Sequence, residues 1–458
     1  TVIQLENIIF LIVAGLGIGL FVWQIRKIRK NVLMGRDVEL TDNPSERINK
    51  TLLVAFGQQK MFKRMLPAVL HLFVYVGFLV INIEVLEILI DGVFGTHRIL
   101  GFAGILYSGL MFINEILAAL VIIACVMFLW RRNVTKVPRL ASGVEMRAWP
   151  KLDANLILIT EIVLMIALFA FNISDLKLAQ LRGTHLAGVY PVSSMFVDIL
   201  GSDPDSLYVI GRVGWWFHII GILAFMNYLP SSKHFHIIMA FPNVYYSKLW
   251  PKGKFTTNPA ITHEIKAMLD PSYQPPAPEM DADGNPIIQR FGAKDVEDLT
   301  WKQLMDSYTC TECGRCTSVC PANLTGKLLS PRKIVMDTRD RMEEKGEHPA
   351  IFAPNHYKEQ GVERVETTDE KTLLRGYITP EELWACTTCN ACVESCPVNI
   401  DQLSTIMDLR RYLVLEESAA PASVNAMFTN IENNGAPWAF SPSDRFNWAE
   451  DLYVPSKN

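Results

Sequence analysis

Residues 310–321 read CTECGRCTSVCP, and residues 386–397 repeat the pattern as CTTCNACVESCP. Both fit C-x2-C-x2-C-x3-C-P, a spacing that wraps three thiolates around one 4Fe-4S cube and sends the fourth, before proline, to a neighbouring cube. The expected ligand sets are Cys310, Cys313, Cys316 and Cys396 for cluster one, and Cys386, Cys389, Cys392 and Cys320 for cluster two. Structural zinc is the alternative, but it takes two separated ligand pairs rather than four ligands in a row. Eight of the nine cysteines lie in these motifs, which suits metal ligation in a reducing compartment better than a disulfide framework. The ninth, Cys125, sits mid-helix among apolar residues and reads as packing.

Outward from the motifs the chain reads as helical. SPRKIVMDTRDRMEEKGE (330–347) predicts a charged amphipathic helix with Ser330 as N-cap and Pro331 at the first position. DQLSTIMDLRRYLVLEE (401–417) predicts another. Residues 301–417 are thus expected to form a helical ferredoxin-type domain with two clusters pinned between helices. Before it, PSYQPPAPEMDADGNP (271–286) is proline-rich and polar, and marks 241–300 as an extended linker. Residues 418–458 form a tail with Trp438, Phe440, Phe446 and Trp448 in no clear period, suited to packing on its own domain or to docking on a partner.

The first half has a different character. Half of all residues are hydrophobic, and residues 1–240 concentrate them in five apolar segments near 5–25, 66–90, 105–130, 154–174 and 209–230. Each is long enough to cross a bilayer, which needs roughly 20 residues of helix. The first reads as an anchor helix rather than a signal peptide, since no basic region precedes it and no small-residue cleavage site follows. Ten lysines and arginines lie between 26 and 64, and Arg131 and Arg132 open the loop after helix three. The loops after helices two and four offer only Arg98, then Lys177 and Arg182. The positive-inside rule therefore places the N-terminus outside and the cluster domain in the cytoplasm. The net charge of -4, with no basic run interleaved with aromatics, argues against a nucleic-acid partner.

Polar groups inside such helices are costly and usually functional. A b-type heme needs two neutral imidazoles facing each other at one depth. His71, one to two turns inside helix two, and His236, just past Pro230 at the inner end of helix five with His234 beside it, meet that condition. His218 lies in the outer half of helix five and leaves two readings open. It is either an outer heme ligand, with His97 or His185 as partner, or a hydrogen-bond donor to a quinone. Glu84 and Glu115 fall in the same outer half and suit a proton path to that quinone, or ordinary interhelical contacts. Glu161, towards the inner side of helix four, leaves the same two readings open.

These residues carry a family resemblance. CVESCPVNIDQLSTIMDLRRYLV (392–414) and the SPRK helix resemble the dicluster subunit of heterodisulfide reductase and the related subunit of anaerobic glycerol-3-phosphate dehydrogenase. The membrane half, with His71 and HIIGILAFMNYLPSSKHFHI (218–237), resembles the heme b membrane subunits of respiratory nitrate reductase and membrane-bound heterodisulfide reductase. In that family two hemes are held by histidine pairs from helices two and five. His218 and His236 match the helix-five positions, but on helix two only His71 matches. The resemblance implies an all-α protein, a five-helix transmembrane heme b bundle followed by the dicluster domain, in a bacterial or archaeal cytoplasmic membrane. It carries one heme, or two if His218 serves as a ligand.

No adjacent cysteine pair exists to build the CCG modules of heterodisulfide reductase catalytic subunits. By resemblance, the substrate site then lies on another chain. The function expected is respiratory electron transfer between menaquinone or another quinone, heme b, the two clusters and a cytoplasmic partner, either a CCG protein or a flavoprotein. The alternative is a membrane-anchored iron-sulfur sensor or scaffold without quinone turnover. A self-sufficient dehydrogenase is disfavoured, since no glycine-rich nucleotide fingerprint follows a strand.

Overall fold

A computed structural model describes residues 5–141, 143–147, 149–251, 253–277, 280, 284, 290–346, 371–450 and 452. Much of the 271–286 stretch expected as linker, residue 347 of the expected 330–347 helix and the last residues of the tail lie outside the described residues. Among the described residues the architecture is helical, with only isolated bridges such as Arg36 to Thr300.

Five helices are long and apolar enough to cross a membrane: α1 (Leu5–Val32), α2 (Met65–Phe94), α3 (Ile105–Asn133), α4 (Trp149–Arg182) and α5 (Pro204–Tyr228). Each continues beyond its apolar window, because polar residues such as Arg26 to Lys30 on α1 keep helical geometry where the backbone meets water. Their inward faces form one core that includes Phe10, Ile81, Val121, Leu168, Trp215 and Ile219, with Cys125 fully buried in it. Large apolar side chains such as Leu16, Ile105 and Val213 face outward. Only a hydrocarbon surround makes that arrangement stable, and the chain is a multi-pass membrane protein. Helices α4 and α5 approach closely at Gly214, where a Cβ would stand 3.1 Å from the Phe171 nitrogen. Small residues let membrane helices pack at such range.

After α5 the chain turns at Pro230 into α6 (His236–Tyr245). The same compact unit, residues 1–255 with 295–406, also holds α8 (Trp301–Thr309) and α9 (Pro331–Lys345). Ser330 accepts from the Lys333 amide and Pro331 opens α9, as the sequence predicts. The cluster-bearing segment is tied to the membrane helices throughout. Asn31 at the end of α1 donates to the Tyr308 hydroxyl at 2.9 Å, the Arg36 amide donates to the Leu299 carbonyl at 2.7 Å, and Asn243 on α6 donates to the Val398 carbonyl at 2.9 Å.

A second unit comprises residues 256–294 and 407–458. It contains α7 (Pro259–Leu269), capped by Asn258, and α11 (Ala422–Asn434). Within it the Ala293 amide donates to the Asp408 carbonyl, on α10 (Gln402–Leu415), at 2.9 Å.

Candidate functional site

The two cysteine motifs fold alike, and the reason is local. Glu312 and Gly314 in the first, and Thr388 and Asn390 in the second, adopt positive φ of 51°, 68°, 57° and 60°. Left-handed residues spaced through a turn in this way direct backbone N–H groups toward an enclosed anion. The residue before a proline is pushed toward extended geometry. Cys320 (φ -75°, ψ 117°) and Cys396 (φ -72°, ψ 121°), each followed by proline, obey this and leave their own loops.

The consequence is that each loop lends its last cysteine to the thiols of the other. Cys396 joins Cys310, Cys313 and Cys316 around one small cavity whose apolar wall includes Val398 and Ile400. Cys392 has Cys386 and Cys320 as its thiol neighbours. Cys316 also senses Cys392, so the two sets adjoin. Burial pushes the thiols of Cys310 and Cys396 up to about 12 and about 11, so a thiolate there needs a metal to neutralise it. Among the described residues no three His, Cys, Asp or Glu side chains converge closely enough to hold one ion. A cube of iron and sulfide spaces its thiolates more widely than a tetrahedral ion does. Backbone amides complete the cage, from Thr388 to the Cys386 sulfur and from Ile400 to the Cys396 sulfur, both at 3.4 Å. Cys389 alone of the eight is exposed.

Loops from the membrane half clasp the first motif. A Cβ on Gly314 would stand 2.3 Å from the Arg139 carbonyl oxygen, so only glycine lets that turn seat against the cluster loop. Arg139 donates to the Cys313 carbonyl, Arg64 to the Ser318 hydroxyl at 3.0 Å, and Arg315 to the Lys60 carbonyl at 3.1 Å. Glu312 is buried between Lys233 and Arg339. Burial alone would raise its carboxyl, but the two cations outweigh that and hold it to about 2. Arg332 and Glu145, each almost fully buried, pair at 2.9 Å. Sequence reasoning counted Arg64 only as a marker of topology and gave the other cations here no role.

The histidines separate into two groups. His71 on α2 and His236 at the start of α6 face each other with ring centroids 6.4 Å apart. His234 stands 5.6 Å from His236 and edge-on to Phe225 at 5.4 Å. Burial holds both His234 and His236 neutral, His234 down to about 3. The Nδ1 of His236 is 3.0 Å from the Lys233 carbonyl and that of His71 is 3.1 Å from the Gln58 side-chain oxygen. Each Nδ1 then carries the proton, and each Nε2 offers a lone pair, as a metal-bound histidine requires. This pair adjoins the first motif. Arg315 lies within electrostatic reach of His71, and Ala240 on α6 packs against the apolar cluster that includes Cys310 and Cys396.

His218 is 1% exposed, with Nδ1 2.9 Å from the Leu164 carbonyl and Nε2 without a partner among the described residues. That tautomer presents an acceptor rather than a donor at Nε2. Its neighbour Ile219 packs in the same closed core as Ile81 of α2. Glu84 is 3.0 Å from Arg98, which also reaches Asn172 at 2.6 Å and Asp175 at 3.3 Å. Glu115 accepts from the Val192 and Ser193 amides at 2.8 and 2.9 Å. Glu161 lies beside the Cys125 thiol. His97, 3.2 Å from Asp175, and His185 line a cavity of about 490 Å³ with Trp215 and Trp216. None of His218, Glu84 and Glu115 lines it.

Comparison with known proteins agrees with the cysteine geometry. No solved structure matches the chain. It is 30% identical, over 98% of its own length and 62% of the relative's, to the "Probable iron-sulfur-binding oxidoreductase FadF" of Bacillus subtilis. It is 25% identical, over 94% of its length and 57% of the relative's, to the "EtfAB:quinone oxidoreductase" of Syntrophomonas wolfei. One subunit of the dihydromethanophenazine:CoB--CoM heterodisulfide reductase of Methanosarcina mazei is 26% identical over 36% of the chain and 38% of the relative. The chain thus spans about 60% of the length of the two relatives that it matches along most of its own. Residues 309–400 match the 4Fe-4S dicluster domain family, and that stretch is a 4Fe-4S cluster-binding domain joined to a multi-pass membrane bundle.

Proposed function

We propose that this protein is the membrane electron-transfer subunit of a quinone-linked oxidoreductase, with a b-type heme between His71 and His236. The separation of those rings carries the reading. One iron held by both imidazoles would need their ring centroids roughly 6 Å apart, and the pair stands 6.4 Å apart with both Nδ1 atoms tied to oxygens. When bound, the heme and the two clusters supply a chain of one-electron carriers. The protein's part is to fix their order. Helix α6 presents His236 at one end and, one turn on, packs Ala240 against the apolar cluster that includes Cys310 and Cys396, and Arg315 of the first motif lies within electrostatic reach of His71.

Quinone as the membrane reactant follows from the name of the Syntrophomonas relative. A cytoplasmic redox partner, a flavoprotein or a CCG-module protein, follows from the resemblance of residues 392–414 to heterodisulfide reductase. The basic loops place the cluster domain on the cytoplasmic side. The reading is tested on the purified protein by a dithionite-reduced minus oxidised spectrum and by reduction with a menaquinol analogue. A b-type band that disappears in His71→Ala while the iron content stays is expected. An unsubstituted protein without that band, or a band unchanged in His71→Ala, refutes the heme, and clusters that no quinol reduces leave only a sensor or scaffold.

A further inference from the structure

The two motifs align without gaps and differ at six positions, three of them in charge, with Glu312 in the first where Thr388 stands in the second. Arg315 in the first stands where Ala391 stands in the second, and Ser318 stands where Glu394 does. Around the first motif the structure adds Arg64 and Arg139 from the membrane loops, and the hydrogen bonds of these three guanidiniums to Ser318, Cys313 and Lys60 all end on neutral oxygens. The carboxylates nearby are already compensated, Glu312 by Lys233 and Arg339, and Glu145 by Arg332. An excess of cations therefore surrounds the cavity of Cys310, Cys313, Cys316 and Cys396. Arg139 and Arg315 both lie within electrostatic reach of Cys313. Guanidiniums so placed are stabilised by an anion among them. Among the described residues the second motif meets no guanidinium; it has Lys60 on the Val393 carbonyl at 3.4 Å and Lys63 already paired with Glu394. The carboxylate of Asp401 lies near Cys392, and Cys389 is open to solvent, which screens charge.

From this asymmetry we propose that Arg64, Arg139 and Arg315 form a cationic cradle that tunes cluster one to a higher reduction potential than cluster two. The proposal rests on the cluster assignment above. Reducing a 4Fe-4S cube adds one electron and no proton, so its charge becomes more negative by one. Fixed positive charge in a poorly hydrated setting favours that state. The three arginines are tuning residues and carry no electrons. Electrons then settle on the cluster beside the His71 and His236 pair, and cluster two, at the exposed end, is the more reducing of the two.

The test is an EPR-monitored redox titration of the whole protein, with the cluster-one signal identified as the one that Cys310→Ala removes. The unsubstituted protein is expected to show cluster one at the higher midpoint. R139Q and R64Q should each lower that midpoint and leave cluster two unmoved, while R139K, which keeps the charge, restores most of it. Cluster one at or below cluster two, or an unmoved midpoint in R139Q with the iron retained, overturns the proposal. Loss of cluster one in R64Q and R139Q alike also overturns it, by assigning the arginines to assembly. An unsubstituted protein holding far fewer than about eight irons refutes the cluster assignment itself, a separate failure.

Discussion

Replacing Cys396 by alanine should damage the cluster of the other motif. In the chain, Cys396 belongs with Cys386, Cys389 and Cys392. In space it completes the cavity of Cys310, Cys313 and Cys316, because the following proline holds it extended and out of its own loop. The variant leaves cluster one with three thiols and cluster two with all four, Cys320 included. The loss is one cube of two, about four of about eight irons per chain. Iron and acid-labile sulfide measured per polypeptide report the amount, and EPR of the dithionite-reduced protein reports which signal remains. Cys320→Ala is the mirror experiment and should spare the first-motif signal. If a water replaces the missing thiol and keeps the iron, the signal with altered g-values is still that of cluster one. Loss of the second-motif signal in Cys396→Ala, with the first intact, would refute the exchange of ligands.

Glu145→Ala leaves the Arg332 guanidinium, 1% exposed at its side chain, without the carboxylate 2.9 Å away, and removing one partner of a buried pair costs about 3–5 kcal/mol. Denaturant unfolding in detergent should show that loss, and one below about 1 kcal/mol would mean that the pair is hydrated. Asp295 accepts from Arg341 at 2.6 Å and from the Leu373 amide at 3.0 Å. Burial would raise its carboxyl, but Arg341 outweighs burial and lowers it below the ordinary 3.8. Its contribution is therefore complete above 3.8 in the unfolded chain and is lost as pH falls through the lower folded value. Asp295→Asn should flatten the acid limb of unfolding free energy against pH, and an unchanged slope would show that other carboxylates set it.

Much of this architecture is legible from local pattern. The five spans follow from apolar windows, which need no knowledge of partners, and Cys-Pro foretells the outward turn of Cys320 and Cys396 because the restriction acts between neighbouring residues. What escaped the sequence depends on distant contacts. The tautomer of His218 is set by the Leu164 carbonyl 54 residues away, and nothing near His218 announces that its Nε2 offers a lone pair rather than a proton. Glu84 and Glu115 were legible as costly buried carboxylates, but their engagement with Arg98 and the Val192–Ser193 amides was not. Arg64 reaches Ser318 across 254 residues, and Arg139 reaches Cys313 across 174.

Those two arginines show why one residue can answer two physical demands. A cation in a short loop biases which side of the membrane the loop occupies, through its charge alone and before any fold exists. Once folded, its worth depends on burial. Lys63 and Glu394 pair at the rim with side chains 53% and 39% exposed, a setting in which such a pair contributes little and salt screens it. Arg139, by contrast, lies against the backbone of Cys313 where water is scarce. A guanidinium is weakly hydrated and stays charged when desolvated, so the charge survives where an anionic cluster can use it. Two loop cations equal in a count of topology therefore separate by function, and the separation follows the depth at which each meets the cluster domain.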